Sequence, residues 1–82
     1  MSGVHKYDTA TFLRGITPSA TEDLPDGVCR AVWVGTGGDL EVVAEEDSTG
    51  VTFTNIPDGT LILVRAKAVR NGTTATDLVA MY

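Results

Sequence analysis

Apolar residues in this chain recur mainly at every second position, which is the period of a β-strand. No window of about 11 residues carries the i, i+3, i+4, i+7 apolar stripe of an amphipathic helix. β-branched residues and glycines are frequent throughout, and both disfavour a helix interior. The pattern therefore predicts an all-β protein.

Clusters of glycine, proline and asparagine divide the chain into short apolar segments about ten residues apart. We predict strands at residues 11–17, 28–34, 40–45, 51–56, 60–70 and 78–82. Tight hairpins are expected at residues 35–39, 57–59 and 71–74, and a long loop at 18–27. This spacing is typical of a small β-sandwich or a partly closed, jelly-roll-like barrel, formed by residues 11–82 after an extended N-terminal arm of residues 1–10.

Two of the predicted strands are apolar on both faces. In the second strand Ala31 and Trp33 alternate with Val32 and Val34, and residues 61–64 are apolar without interruption. Trp33 is interpreted as a core residue rather than a ligand platform, because an aromatic side chain in such an alternation usually packs inward, and a place at a subunit contact is the alternative. In the strand at residues 51–56, Val51 and Phe53 are expected to point inward.

A chain of 82 residues can bury one core and is only marginally stable by itself. The single Cys29 forms no disulfide within the chain, and His5 with Cys29 is too small a set for a structural zinc site. Association is the remaining source of stability, and 43% hydrophobic residues against 21% charged residues provide the surface for it. We therefore predict a homo-oligomer or a docked subunit.

The charge balance and the hydropathy exclude two classes of partner. Six basic and eleven acidic residues give a net charge of −5, which repels nucleic-acid phosphates. The longest apolar run, residues 61–64, is far too short to span a bilayer, and residues 1–8 lack the apolar segment of a signal peptide. We expect a soluble protein that binds neither nucleic acid nor membrane.

No pattern of catalytic or ligand-binding residues is present. The glycine-rich run at residues 35–38 lacks the lysine of a phosphate-binding loop and leads into Asp39 and a strand. His5 is the only histidine, and the acidic turn at residues 45–47 lacks the spacing of a calcium loop. We predict no enzyme activity, no cofactor and no metal.

Acidic and basic residues are segregated along the chain: the acids cluster at residues 41–47 and the bases at residues 65–70. Pairing within one chain is the favoured interpretation, and head-to-tail contact between identical subunits is the alternative. The candidate subunit or capsid interface combines these charges with the outer valines and isoleucine. It comprises Val32, Val34, Ile62, Val64, Arg65, Lys67, Arg70, Glu41 and Glu45.

Four segments in register resemble a small virion protein of tailed phages and phage-derived gene transfer agents, the head spike base family. They are Ile16-Thr17-Pro18-Ser19, Val32-Trp33-Val34-Gly35-Thr36-Gly37-Gly38-Asp39-Leu40, Val51-Thr52-Phe53-Thr54-Asn55-Ile56-Pro57-Asp58-Gly59-Thr60-Leu61 and Gly72-Thr73-Thr74-Ala75-Thr76. The resemblance spans residues 16–82. This chain departs from the family at its acidic turn, residues 45–47, and at Asp58.

The resemblance implies a non-enzymatic protein on the capsid surface of a virion, made in the cytoplasm of a bacterial host. It also implies a symmetric oligomer, a pentamer if it occupies five-fold vertices, with the major capsid protein and a spike fibre as partners. Two alternatives remain at this point. One is a decoration or cement protein spread over the capsid lattice, and the other is a free carbohydrate-binding module that uses Trp33.

Overall fold

A computed structural model describes residues 9–82, and within them the regular structure is entirely β. The strands are β1 (Leu13–Gly15), β2 (Ala31–Thr36), β3 (Gly38–Ala44), β4 (Val51–Ile56), β5 (Thr60–Ile62), β6 (Ala66–Val69) and β7 (Thr76–Met81). They form a four-stranded sheet in the order β1-β7-β2-β5 and a three-stranded sheet in the order β4-β3-β6, and every pairing is antiparallel. The predicted all-β single domain is confirmed, and it is two-layered rather than a closed barrel. The predicted arm falls mostly at residues 1–8, outside the described part of the chain.

The core lies between the two sheets and is apolar. Val32 and Val34 from β2 and Leu40 from β3 are completely buried, and no polar or charged residue is buried among residues 9–82. In the four-stranded sheet Val32 lies opposite both Ile62 and Ala80. Since directly opposite residues in an antiparallel pair share a face, these three side chains all point toward the core.

The predicted hairpin at residues 35–39 is wrong, because β2 and β3 belong to different sheets. Gly37 is the single residue between the two strands, and a Cβ atom there would lie only 2.9 Å from the carbonyl carbon of Pro57. Its N–H donates a hydrogen bond to Asp58 Oδ1 at 2.6 Å. The glycines of this segment therefore permit a tight crossing between sheets, whereas the same residues in the sequence are equally compatible with a hairpin.

Three further connections also pass from one sheet to the other. The turns at residues 57–59 and 71–74 exist, but they join strands that are not paired, so the hairpins expected there are wrong.

The predicted long strand at residues 60–70 is two strands, because β5 pairs with β2 and β6 pairs with β3. Residues 63–65 carry the chain across.

Val51 and Phe53 point to the core side of their sheet, as predicted, but they are not buried there. Val51 lies opposite Val42, and Phe53 lies opposite Leu40, whose side chains are in the core. Nevertheless Val51 is 58% exposed and Phe53 is 40% exposed. The four-stranded sheet therefore does not cover β4, which is the outer strand of its own sheet.

Tyr82 closes one end of the core. It is 8% exposed, its ring stacks on Phe12 with centroids 4.7 Å apart, and its hydroxyl donates a hydrogen bond to the Gly27 carbonyl at 3.0 Å. Burial is the main reason that the pKa of Tyr82 is raised above 10.0. The neutral phenol is therefore the form that the folded state favours.

Tyr82→Phe is expected to lower the free energy of unfolding by about 1 kcal/mol, because it leaves the Gly27 carbonyl without its donor. A raised folded pKa means that the stability from the neutral phenol is fully present below pH 10.0 and is lost as the pH rises through the folded pKa. Urea unfolding at neutral and alkaline pH measures both effects. A variant that loses stability above pH 10.0 as steeply as the parent would contradict the assignment to Tyr82.

Candidate interaction surface

The apolar members of the predicted interface lie in or against the core. Val32 and Val34 have no exposed surface, and Ile62 and Val64 are partly buried against the same cluster. Their side chains face the three-stranded sheet, so they contribute to the interior rather than to the outside of the domain. The outward face of β2 is instead the face that carries Trp33.

The charged members of the predicted interface are brought together within the chain, because β3 and β6 are neighbouring strands. Arg65 Nε lies 2.9 Å from Glu45 Oε1, and this hydrogen bond, followed by the charge of Glu45, raises the pKa of Arg65. The Glu41 carboxylate accepts a hydrogen bond from Gly72 N–H at 3.0 Å. Pairing within one chain is therefore confirmed for Arg65 with Glu45, whereas Glu41 bonds a backbone N–H. Exposed ion pairs such as Arg65–Glu45 contribute little to stability.

Arg70 and Lys67 are the remaining basic members. Arg70 Nη2 lies 3.4 Å from Asp23 Oδ1, and its Nη1 donates to the Glu22 carbonyl at 3.1 Å. Lys67 is half-buried on β6. Contact between the acidic and basic edges of neighbouring subunits stays a prediction.

The four-stranded sheet presents a continuous apolar surface on the side away from the core. Trp33 lies opposite Leu61 and Val79, and Leu13 lies opposite Met81. Because side chains alternate along each strand, these residues point outward where their neighbours point into the core. We call this surface the outer apolar face; it consists of Leu13, Trp33, Leu61, Leu63, Val79 and Met81.

Large side chains on the outer apolar face are strongly exposed. Leu63 is 80% exposed, Leu13 55%, Leu61 45% and Trp33 40%, so the interpretation of Trp33 as a core residue is wrong. Trp33, Leu61, Leu13, Val79 and Met81 line one shallow depression that has no charged residue in its lining. Soluble monomers rarely expose contiguous apolar patches of more than a few hundred Å², and larger ones mark interaction sites.

The depression on this face is lined by apolar side chains, which favour contact with another apolar surface. Within residues 9–82 no group of three acidic, cysteine or histidine side chains is placed to hold a metal ion. The same part of the chain contains no helix long and apolar enough to cross a membrane. The lone Cys29 is buried and forms no disulfide. The outer apolar face is therefore the candidate functional site, as a surface that another apolar surface can cover.

The alternation in the sequence predicts an apolar surface on both sides of β2, and the candidate interface took Val32 and Val34, which the structure places in the core. Both Ala31 with Trp33 and Val32 with Val34 are apolar sets, and the alternation alone does not state which set meets the second sheet. The missing information was the strand order. Only the placement of β2 between β7 and β5 aligns Trp33 with Leu61 and Val79.

No protein-family model matches the chain, and no curated protein matches it. A solved structure described as "Capsid of native GTA particle computed with C5 symmetry" contains a chain that is 36% identical to this one. The alignment covers 98% of this chain and 92% of that chain, with a TM-score of 0.79. The similarity therefore extends over the whole domain, including both sheets and every strand that contributes to the outer apolar face.

Proposed function

Because the chain belongs to the family of virion structural proteins represented in the capsid of the GTA (gene transfer agent) particle, we propose that it is a head spike base. In this role it is a non-enzymatic subunit that binds the major capsid protein at the capsid surface and supports a spike fibre. It assembles there as a symmetric oligomer, a pentamer if it occupies the five-fold vertices. The observation that carries the proposal is the outer apolar face.

The outer apolar face suits permanent attachment to a particle. Four of its side chains are at least 40% exposed, and burying apolar surface is favourable by about 25 cal/mol per Å². Stable assemblies of this kind have apolar interface cores from which charged residues are depleted. The lining of the depression around Trp33 has that composition.

A position at five-fold vertices would agree with the C5 symmetry with which the capsid of the related particle was computed. Free carbohydrate binding is less well supported, because Trp33 is surrounded by Leu61 and Val79. Sugar recognition needs polar groups beside an aromatic ring to fix the hydroxyls, and this neighbourhood does not supply them.

Leu61→Glu is expected to lower the number of copies bound to purified particles by about tenfold or more, since docking would then bury an unpaired carboxylate. Thr21→Glu, which adds the same charge on an exposed loop, is the matched control and should bind like the parent. Both variants are quantified by immunoblot of particles from producing cells, with urea unfolding to check that each is folded.

Cryo-electron microscopy of particles carrying the parent protein tests the location. Density at the five-fold vertices supports a head spike base, whereas density over the whole lattice would make the chain a decoration protein. A folded parent protein that never accompanies particles would overturn the proposal. Equal loss of binding in Leu61→Glu and Thr21→Glu would remove the outer apolar face from the docking site.

A further inference from the structure

The outer edge of β4 is the least protected strand edge in the described domain. β4 has six residues, Val51–Ile56, and includes no charge and no proline. β1 and β5, the edges of the other sheet, have three residues each. Such an edge offers unpaired backbone N–H and C=O groups to another strand.

β6, at the opposite edge of the same sheet, is covered by the loop between β1 and β2. Ser19 N–H donates to the Val69 carbonyl, Leu24 N–H to the Lys67 carbonyl and Cys29 N–H to the Ala66 carbonyl, at 2.8–3.0 Å. Within residues 9–82 no comparable segment lies along the outer edge of β4. The three-stranded sheet is therefore closed on one side and open on the other.

The hydrogen bonds of β3 show which groups of β4 point outward. The Glu41 carbonyl accepts from Arg70 N–H at 2.8 Å, and Glu41 N–H donates to Thr73 Oγ1 at 2.9 Å, so the backbone of Glu41 faces β6. In an antiparallel ladder the direction alternates from residue to residue. Leu40 and Val42, on either side of Glu41, therefore bond to Phe53 and Val51 of β4. The N–H and C=O groups of Thr52 and Thr54 then point to the open side of β4.

An uncovered apolar pair accompanies this open edge. Val51 and Phe53 point to the same side of the sheet as the core residues Val42 and Leu40, yet they remain 58% and 40% exposed. Asn55 has a φ of 56° and forms a bulge where its N–H bonds Asp39 Oδ1 at 3.1 Å. The regular part of the edge is therefore the stretch from Val51 to Thr54.

We propose that β4 pairs antiparallel with β4 of a second copy, with Thr52 facing the partner subunit's Thr52. The stretch is self-complementary in this register. The outward backbone groups of the two threonines meet, and Val51 lies opposite the partner's Phe53, a β-branched residue against an aromatic one. A slip by one residue would place threonine against phenylalanine and misalign the backbone donors, and a slip by two would bring the Asn55 bulge into the pairing. The two three-stranded sheets become one sheet of six strands.

This pairing has two-fold symmetry, so it is not a contact within a five-fold ring. It goes beyond the proposed role on a capsid and is tested on the isolated protein, so the two can fail separately. Thr52→Cys should form a dimer-linking disulfide under mild oxidation, because Cα atoms of a hydrogen-bonded pair are about 5.5 Å apart. Thr54→Cys is the matched control, since its two copies would be about 14 Å apart in this register. The parent, whose Cys29 is buried, should give no crosslink. Crosslinking of Thr54→Cys as readily as Thr52→Cys would overturn the pairing.

A second pair of variants tests the backbone bonds. Thr52→Pro removes an N–H that points away from β3 and should raise the Kd of the dimer by about tenfold, because the bond is lost in both copies. Thr52→Val keeps the N–H and should leave the Kd nearly unchanged. Sedimentation equilibrium from micromolar to millimolar protein measures the Kd, and thermal unfolding checks that both variants are folded.

Two further results separate this contact from others. Each copy carries a net charge of −5, so added salt should screen the repulsion between copies and strengthen the β4 dimer. A contact between acidic and basic edges would instead become weaker with added salt. A parent protein that stays monomeric at millimolar concentration would overturn the proposal. A dimer that is unaffected by Thr52→Pro but is lost on deleting residues 1–8 would also overturn it, by assigning the contact to that segment.

Discussion

Gly37→Ala is expected to destabilise the domain by about 3 kcal/mol or more, a large fraction of the total stability of a chain this small. The added Cβ would overlap the Ile56 carbonyl oxygen and lie 2.9 Å from the Pro57 carbonyl carbon. These are backbone atoms, so no flexible side chain can move aside. The strain falls on the crossing between β2 and β3, and relieving it would also disturb the 2.6 Å hydrogen bond from Gly37 N–H to Asp58.

Gly15→Ala is the matched control for this substitution. No atom lies within 4 Å of a Cβ built at Gly15, so the alanine variant should be within about 0.5 kcal/mol of the parent. Urea unfolding followed by Trp33 fluorescence measures both variants. Equal effects of the two substitutions on the free energy of unfolding would show that the crossing tolerates a side chain at residue 37. The short distance to the backbone of residues 56 and 57 would then not explain why glycine occupies that position.

Leu40→Ala is expected to lower the free energy of unfolding by about 3–4 kcal/mol, because it creates a cavity in the centre of the sandwich. Leu40 is among the largest of the fully buried side chains and packs between the two sheets. An 82-residue domain has a total stability of only about 4–12 kcal/mol, so this variant should be close to unfolding at 37 °C.

Leu63→Ala removes the same atoms from a side chain that is 80% exposed and should change the free energy of unfolding by less than about 0.5 kcal/mol. Thermal and urea unfolding of the monomer at low concentration compare the two leucines. A loss of less than about 1 kcal/mol in Leu40→Ala, far below the usual cost of about 2–5 kcal/mol, would contradict a core centred on Leu40.

The sequence predicted most of the strands but not how they pair. Alternation and turn residues locate β2, β3, β4 and β7 within a few positions, because both signals are local. Sheet membership depends on contacts between distant segments. The turn at residues 57–59 has the same local chemistry whether it closes a hairpin or leads from β4 into the opposite sheet.

The same limit explains why the candidate interface includes Val32 and Val34, which the structure places in the core. Val32 with Val34 and Ala31 with Trp33 are both apolar sets, and hydrophobicity alone gives no reason to bury one and expose the other. Side-chain size is consistent with the observed arrangement, because the layer between two packed sheets is only about 10 Å thick and compact valines fit it in their preferred rotamers. The bulky Trp33 lies on the other side, among the exposed leucines of the outer apolar face.

Pairing of β1 with β7 has a consequence for how the chain reaches its structure. Leu13 lies opposite Met81, and Arg14 opposite Ala80, so the first and last strands of the described domain are neighbours. Loops that bring such distant segments together have a high entropic cost, which makes folding slow compared with helical proteins, in the range of milliseconds to seconds. During synthesis the four-stranded sheet cannot be completed until β7 has emerged. A nascent chain that lacks β7 would leave both β1 and β2 without their shared neighbour, and this domain is therefore expected to fold in one cooperative step once β7 has been synthesised rather than strand by strand.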